Sequence, residues 1–264
     1  MFKRFENSTG AAADWTVPER WDRFTAEDHR VWDLLFARQQ AKLAGRAVRA
    51  FEAGLELLRL DHPGIPRLAE INDRLSARTG WTVVAVPGLV PDEIFFRHLS
   101  ERRFPAGNFI RSAGQLDYLE EPDIFHDVFG HVPMLAQPEV ADFMQALGEA
   151  GLRAGQVGAM HRLARLYWYS VEFGLAREDG ELRIYGAGLA SSFGEAGFAL
   201  DSPEPRRRPF DLERVLRTRY RPDAFQHCYF VVESFDDLLV QVREADLERL
   251  YAAAETAEDL DPAA

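Results

Sequence analysis

The stretch Pro122-Asp-Ile-Phe-His126-Asp-Val-Phe-Gly-His131-Val-Pro133 sets two histidines five residues apart inside a strongly apolar run. In an unbroken α-helix their rings would point about 140° apart. Gly130 and Pro133 are suited to ending the helix between or just after them, which predicts that His131 swings back toward His126. Outward from this stretch, apolar residues recur at helical spacing through most of the chain. Helices are predicted over 18–60, 67–79, 91–101, 122–130, 138–150, 157–177, 191–200, 211–217 and 235–254. Short β-branched runs predict strands at 81–86, 182–185 and 228–232. The expected fold class is therefore mostly α with a minor β component (α+β). No linker or repeat divides the chain, so one domain is expected over 19–254. Residues 1–18 read as a loose polar arm, 255–264 as an acidic tail that frays, and Arg206-Arg207-Arg208 as a solvated loop.

Composition narrows the function. The 264 residues carry 31 Lys and Arg against 43 Asp and Glu, a formal charge of −12. That balance disfavours nucleic acid and anionic membranes as partners. No apolar run approaches the ~18 residues of a spanning helix, and the polar N-terminus does not read as a signal peptide. The single cysteine, Cys228, excludes an internal disulfide and a thiolate zinc site. A cytoplasmic setting is expected.

Of the seven histidines, His29, His62, His98, His161 and His227 have no partner at a ligand spacing and read as core or surface residues. His126 and His131 gain weight from Glu172, which lies in the aromatic window Tyr167-Trp-Tyr-Ser-Val-Glu172-Phe-Gly-Leu175. An ionised carboxylate buried there needs a cation. Arg165 or Arg177 could serve, but a metal shared with the two histidines accounts for all three residues. Two imidazoles and a carboxylate suit non-haem Fe(II), and zinc accepts the same donors. The zinc-protease His-Glu-x-x-His and the di-iron Glu-x-x-His are absent, and Gly186-Ala-Gly188 lacks the third glycine of a dinucleotide loop. Spacing also puts Trp168 one helical turn from Glu172, on the same face.

These residues carry a resemblance. The Pro122–Pro133 stretch, Tyr167 to Gly174, and Tyr185-Gly-Ala-Gly188-Leu-Ala-Ser191-Ser-Phe-Gly-Glu195 resemble, in order, the three signature segments of the aromatic amino acid hydroxylases. The likeness runs from about residue 79 to 235 and is closest to the short bacterial phenylalanine hydroxylases. It implies a single catalytic domain of that type, with Fe(II) held by His126, His131 and Glu172. It implies a tetrahydropterin cosubstrate against Phe95, with Gly88 and Val90 in the pterin loop and Asp127 and Tyr167 on the pterin side. For the amino acid it implies Arg111 at the carboxylate, Trp168 and Phe173 beside the ring, Ser191 near both the carboxylate and a ligand histidine, and contacts at Pro122 and Gly188. The implied reaction converts phenylalanine to tyrosine with O₂ in a monomer whose partners are small molecules. Leu119 departs from the threonine of the animal enzymes. Tyrosine hydroxylases carry an aspartate where Pro222 aligns, although Asp223 is adjacent. The competing readings are tryptophan or tyrosine as substrate, another ring carbon, a hydrolytic zinc enzyme, and a non-catalytic protein that binds metal and aromatic amino acids.

Overall fold

The computed structural model describes residues 10–117 and 121–263; Leu119 lies outside them. Helix α1 (Ala26–Leu43) opens on a capping box in which Asp28 N–H donates to Thr25 at 3.2 Å and Thr25 N–H donates back at 2.7 Å. The helix expected to continue to residue 60 breaks at Gly45, where φ is 65°. Backbone there turns to pair with a strand instead, Ile184 N–H donating to Arg46 and Val48 N–H to Ile184. Helix α2 (Arg49–Leu58) follows, then α3 (Leu68–Thr79).

Strand β1 (Thr82–Val86), helix α4 (Asp92–Ser100) and strand β2 (Arg103–Gly107) form a parallel βαβ unit with Val83 opposite Phe104. Strand β2 was not expected, since Arg-Phe-Pro-Ala-Gly contains no β-branched residue. A two-stranded sheet tolerates Pro105 because its strands are all edges. Next comes a π-helical stretch (Phe125–His131), which runs directly into α5 (Val132–Leu135) and then α6 (Pro138–Gln156). A Cβ on Gly54 would stand 2.1 Å from the Pro133 carbonyl oxygen, so glycine is what lets α2 lie against α5.

Helix α7 (Met160–Tyr167) passes into a second π-helical stretch (Trp168–Glu172). The helix expected to reach residue 177 ends there, because β3 (Leu175–Glu178) pairs with β4 (Glu181–Ile184) through an Asp179-Gly180 turn with both φ angles positive. After α8 (Ala187–Ser191) and α9 (Phe193–Asp201) come β5 (Arg206–Pro209), α10 (Leu212–Arg217), β6 (Cys228–Val232), α11 (Phe235–Glu244) and α12 (Leu247–Thr256). The sheet order is β4-β3-β6-β5. Strand β6 is buried along its whole length and needs a partner on both sides. Arg206-Arg207-Arg208 fills that need as an edge strand, not a solvated loop. The fold is mostly helical with a minor β component, as the periodicity implied.

Residues 14–17 and 255–260 are better anchored than polarity suggested. In the arm, Val17 N–H donates to Ala85 O at 2.9 Å, and Arg103 holds Asp14 at 2.9 Å. At the other end, Arg165 grips Asp259 at 2.7 Å and Leu260 pairs with Thr218. The acidic tail does not fray over this stretch, because its charges meet arginines of α7.

Candidate active site

The π-helical stretch corrects the expected geometry. Its i→i+5 hydrogen bonding takes up one extra residue per turn, so His131 lands over His126 without any helix ending between them. The ring centroids lie 5.1 Å apart, and the two Nε2 atoms face each other at 3.3 Å. The second π stretch ends on Glu172, which brings its Oε1 to 3.2 Å from His131 Nε2 and its Oε2 to 3.6 Å from His126 Nε2. Ligand atoms of all three residues lie within 4.8 Å of one another.

The protonation of His126 and Glu172 suits a cation. Ser191 Oγ donates to the Ala187 carbonyl at 2.9 Å, which commits its proton and leaves it as acceptor from His126 Nδ1–H at 2.8 Å. The unprotonated nitrogen of His126 is then Nε2, the one facing Glu172. Burial pushes the His126 imidazolium down to about 4, so the ring is neutral. Burial works against ionisation of Glu172, and the facing imidazoles of His131 and His126 overcome it and hold the carboxyl at about 2. Two imidazoles and a carboxylate around one point form a donor set for a divalent metal. Gly188 is required beside it: a Cβ there would stand 2.9 Å from the Phe173 ring and 3.2 Å from Glu172 Oε2.

Arg111 is buried and half committed. Its Nε and Nη2 grip Asp123 at 2.8 and 2.9 Å, leaving the end-on Nη1/Nη2 fork with a long 3.5 Å contact to Leu116 O. That remaining fork can take a carboxylate in two parallel bonds. Asp123, fully buried, also accepts from the Arg111 and His126 backbone N–H groups at 2.9 and 3.0 Å. Burial disfavours its ionisation, but the Arg111 guanidinium overrides this and keeps the carboxyl below its usual range. Asp123 therefore ties the arginine to the start of the histidine-bearing turn. Sequence reasoning missed it, although an acid inside an apolar motif was the available signal.

The remaining predicted positions fall in two groups. Phe95 packs edge-on against Tyr167 at 5.4 Å, and Tyr167 lies 6.3 Å from the His131 ring. Gly88 and Val90 lie on the loop leaving β1, where Leu89 N–H donates to Glu121 at 3.0 Å. Around Gly107, at the corresponding end of β2, Phe109, the Pro122 carbonyl and Asp127 converge, and Gly107 N–H donates to Asp127 at 2.7 Å. Burial raises the Asp127 carboxyl to about 7. These residues gather at the carboxyl ends of two parallel strands, a common ligand position in α/β units. Trp168 stacks on Tyr220 at 4.4 Å and leans on Phe173 at 4.7 Å. The other histidines take structural or surface roles: His29 accepts from Ile65 N–H, His98 bonds the Asp14 carbonyl, and His161 meets Glu255 on the surface.

The sequence profile of biopterin-dependent aromatic amino acid hydroxylases matches residues 5–254. The chain belongs to this family. It is 55% identical over 251 residues to a phenylalanine-4-hydroxylase of Caulobacter vibrioides, covering 95% of this chain and 85% of the relative. It is 53% identical to that of Ralstonia nicotianae, over 92% of this chain and 77% of the relative. The phenylalanine hydroxylase of Chromobacterium violaceum, solved with cobalt bound, superposes with a TM-score of 0.94 at 47% identity, covering 96% of this chain and 92% of that one. Among the described residues no helix is long and apolar enough to cross a membrane.

Proposed function

We propose that the protein is a phenylalanine 4-monooxygenase that converts L-phenylalanine to L-tyrosine with O₂ and a tetrahydropterin, using Fe(II) held by His126, His131 and Glu172. The observation that carries this reading is the convergence of three ligand-ready atoms from two π-helical turns, in a chain 52–55% identical to three bacterial phenylalanine-4-hydroxylases. Bound iron and reduced pterin supply the activation of dioxygen, one oxygen atom going to the ring and the other to the pterin. The protein's own share is placement. Arg111, braced by Asp123, receives the amino acid carboxylate on its free fork. Trp168 and Phe173 flank the ring, with Pro122, Gly188 and Ser191 completing that side. Phe95, Gly88, Val90, Asp127 and Tyr167 form the pterin side. Ser191 keeps the His126 proton on Nδ1, away from the ligand nitrogen.

Phenylalanine is favoured over tyrosine because no acid is free at the loop position. Pro222 aligns with the aspartate of tyrosine hydroxylases, and the adjacent Asp223 is bound to Arg221 at 3.1 and 3.2 Å. We assign the enzyme to the cytoplasm as a monomer acting on small molecules. The test is anaerobic loading with Fe(II), then O₂ and tetrahydropterin with phenylalanine, tyrosine or tryptophan under identical conditions. Tyrosine formed from phenylalanine, coupled to pterin oxidation, is expected. A preference for tryptophan would overturn the substrate, and pterin-independent hydroxylation would overturn the mechanism.

A further inference from the structure

Gln226 is 3% exposed and closes the solvent-facing loop 221–225. Its Nε2 donates to the carbonyls of Arg221 at 2.8 Å and Ala224 at 2.9 Å, while its Oε1 accepts the indole N–H of Trp168 at 3.0 Å. The carboxamide fits only this way round. Turned over, its oxygen would face two carbonyls and its nitrogen an N–H. Beneath it, the Gln226 backbone N–H donates to Glu195 Oε1 at 2.8 Å, an oxygen that also accepts the Tyr229 hydroxyl at 2.8 Å. Tyr220, which leads into the loop, stacks on the same indole with an interplanar angle of 20°. One side chain thus spends both donors on the loop and its acceptor on a helix 58 residues away.

We propose that Gln226 is a positioning residue for the substrate ring: it locks Trp168 and the 221–225 loop in one register and so sets the wall against which the ring lies. The inference rests on the proposed place of Trp168 beside the substrate. Glutamate at 226 would set a carboxylate oxygen against two carbonyls. Methionine would leave the indole N–H and both carbonyls unpaired. Loosening a wall that binds the ring in the ground state raises KM more than it lowers kcat, and it relaxes rejection of a larger ring.

The experiment compares Gln226→Met, Trp168→Phe and the double variant on the iron- and pterin-loaded enzyme. Gln226→Met should raise KM for phenylalanine roughly tenfold, leave iron binding unchanged, and narrow the preference for phenylalanine over tryptophan. In the Trp168→Phe background the same change should lose most of its effect, since its partner is gone; additive effects would overturn the proposal. A second readout is independent of substrate. Trp168→Phe, which removes the indole N–H together with the pyrrole ring, should speed amide hydrogen exchange across residues 221–226. Unchanged exchange there overturns the clasp even if Gln226→Met fails to fold. Failure of the wild type to hydroxylate phenylalanine would instead defeat the functional reading and leave the exchange result standing.

Discussion

Replacing Glu195 by glutamine should stabilise the protein, increasingly so as pH rises from about 4.5 to about 7. The Glu195 side chain is 5% exposed, and burial pushes its carboxyl up from an ordinary 4.5 to about 7, against the Gln226 N–H and Tyr229 O–H that favour the charged form. A raised carboxyl means that the folded state binds more protons than the unfolded chain between these two values. The neutral form is therefore fully tolerated below about 4.5, and stability falls as pH rises toward 7. The full shift is worth about 3 kcal/mol above pH 7 and about 1 kcal/mol at pH 5, at 1.36 kcal/mol per unit. Glutamine keeps an oxygen for both donors and carries no charge at any pH. Denaturant unfolding of both proteins at pH 5 and pH 8 isolates the effect, because other groups cancel in the difference. The variant should gain about 2 kcal/mol more at pH 8 than at pH 5. A stability difference that does not change between the two pH values would refute the reasoning.

Three further outcomes follow from contacts elsewhere. Asp123→Ala strands the buried Arg111 and should cost about 3–5 kcal/mol in stability while weakening use of the amino acid; near-wild-type stability by denaturant titration would contradict it. Ser191→Ala removes the acceptor that orders His126, so metal affinity measured by competitive chelation should fall about 10–100-fold with the fold intact. Gly54→Ala drives a methyl into the Pro133 carbonyl and should destabilise by about 1–3 kcal/mol despite alanine's better helix propensity, as a lowered Tm would show.

The chemistry-bearing residues were legible because their chemistry constrains them. Glu172 stands out as a carboxylate in an aromatic window, and His126 and His131 as paired imidazoles in an apolar run. How the three converge was not legible, since apolar spacing reports which face is buried and not whether the backbone bonds at i+4 or i+5. Strand β2 escaped because its pairing with β1 is a tertiary fact that Pro105 and Gly107 disguise locally. Asp123, Glu195 and Gln226 escaped for a related reason. The role of a buried polar side chain is set by the partner it meets, and Gln226 meets Trp168 across 58 residues.

The proposed metal centre is tested most directly by anaerobic Fe(II) titration of the wild type beside Glu172→Ala and His161→Ala. One tightly held iron per chain is predicted for the wild type and for His161→Ala, whose imidazole meets Glu255 on the surface. Glu172→Ala should lose tight binding. Undiminished iron affinity in Glu172→Ala would contradict the account.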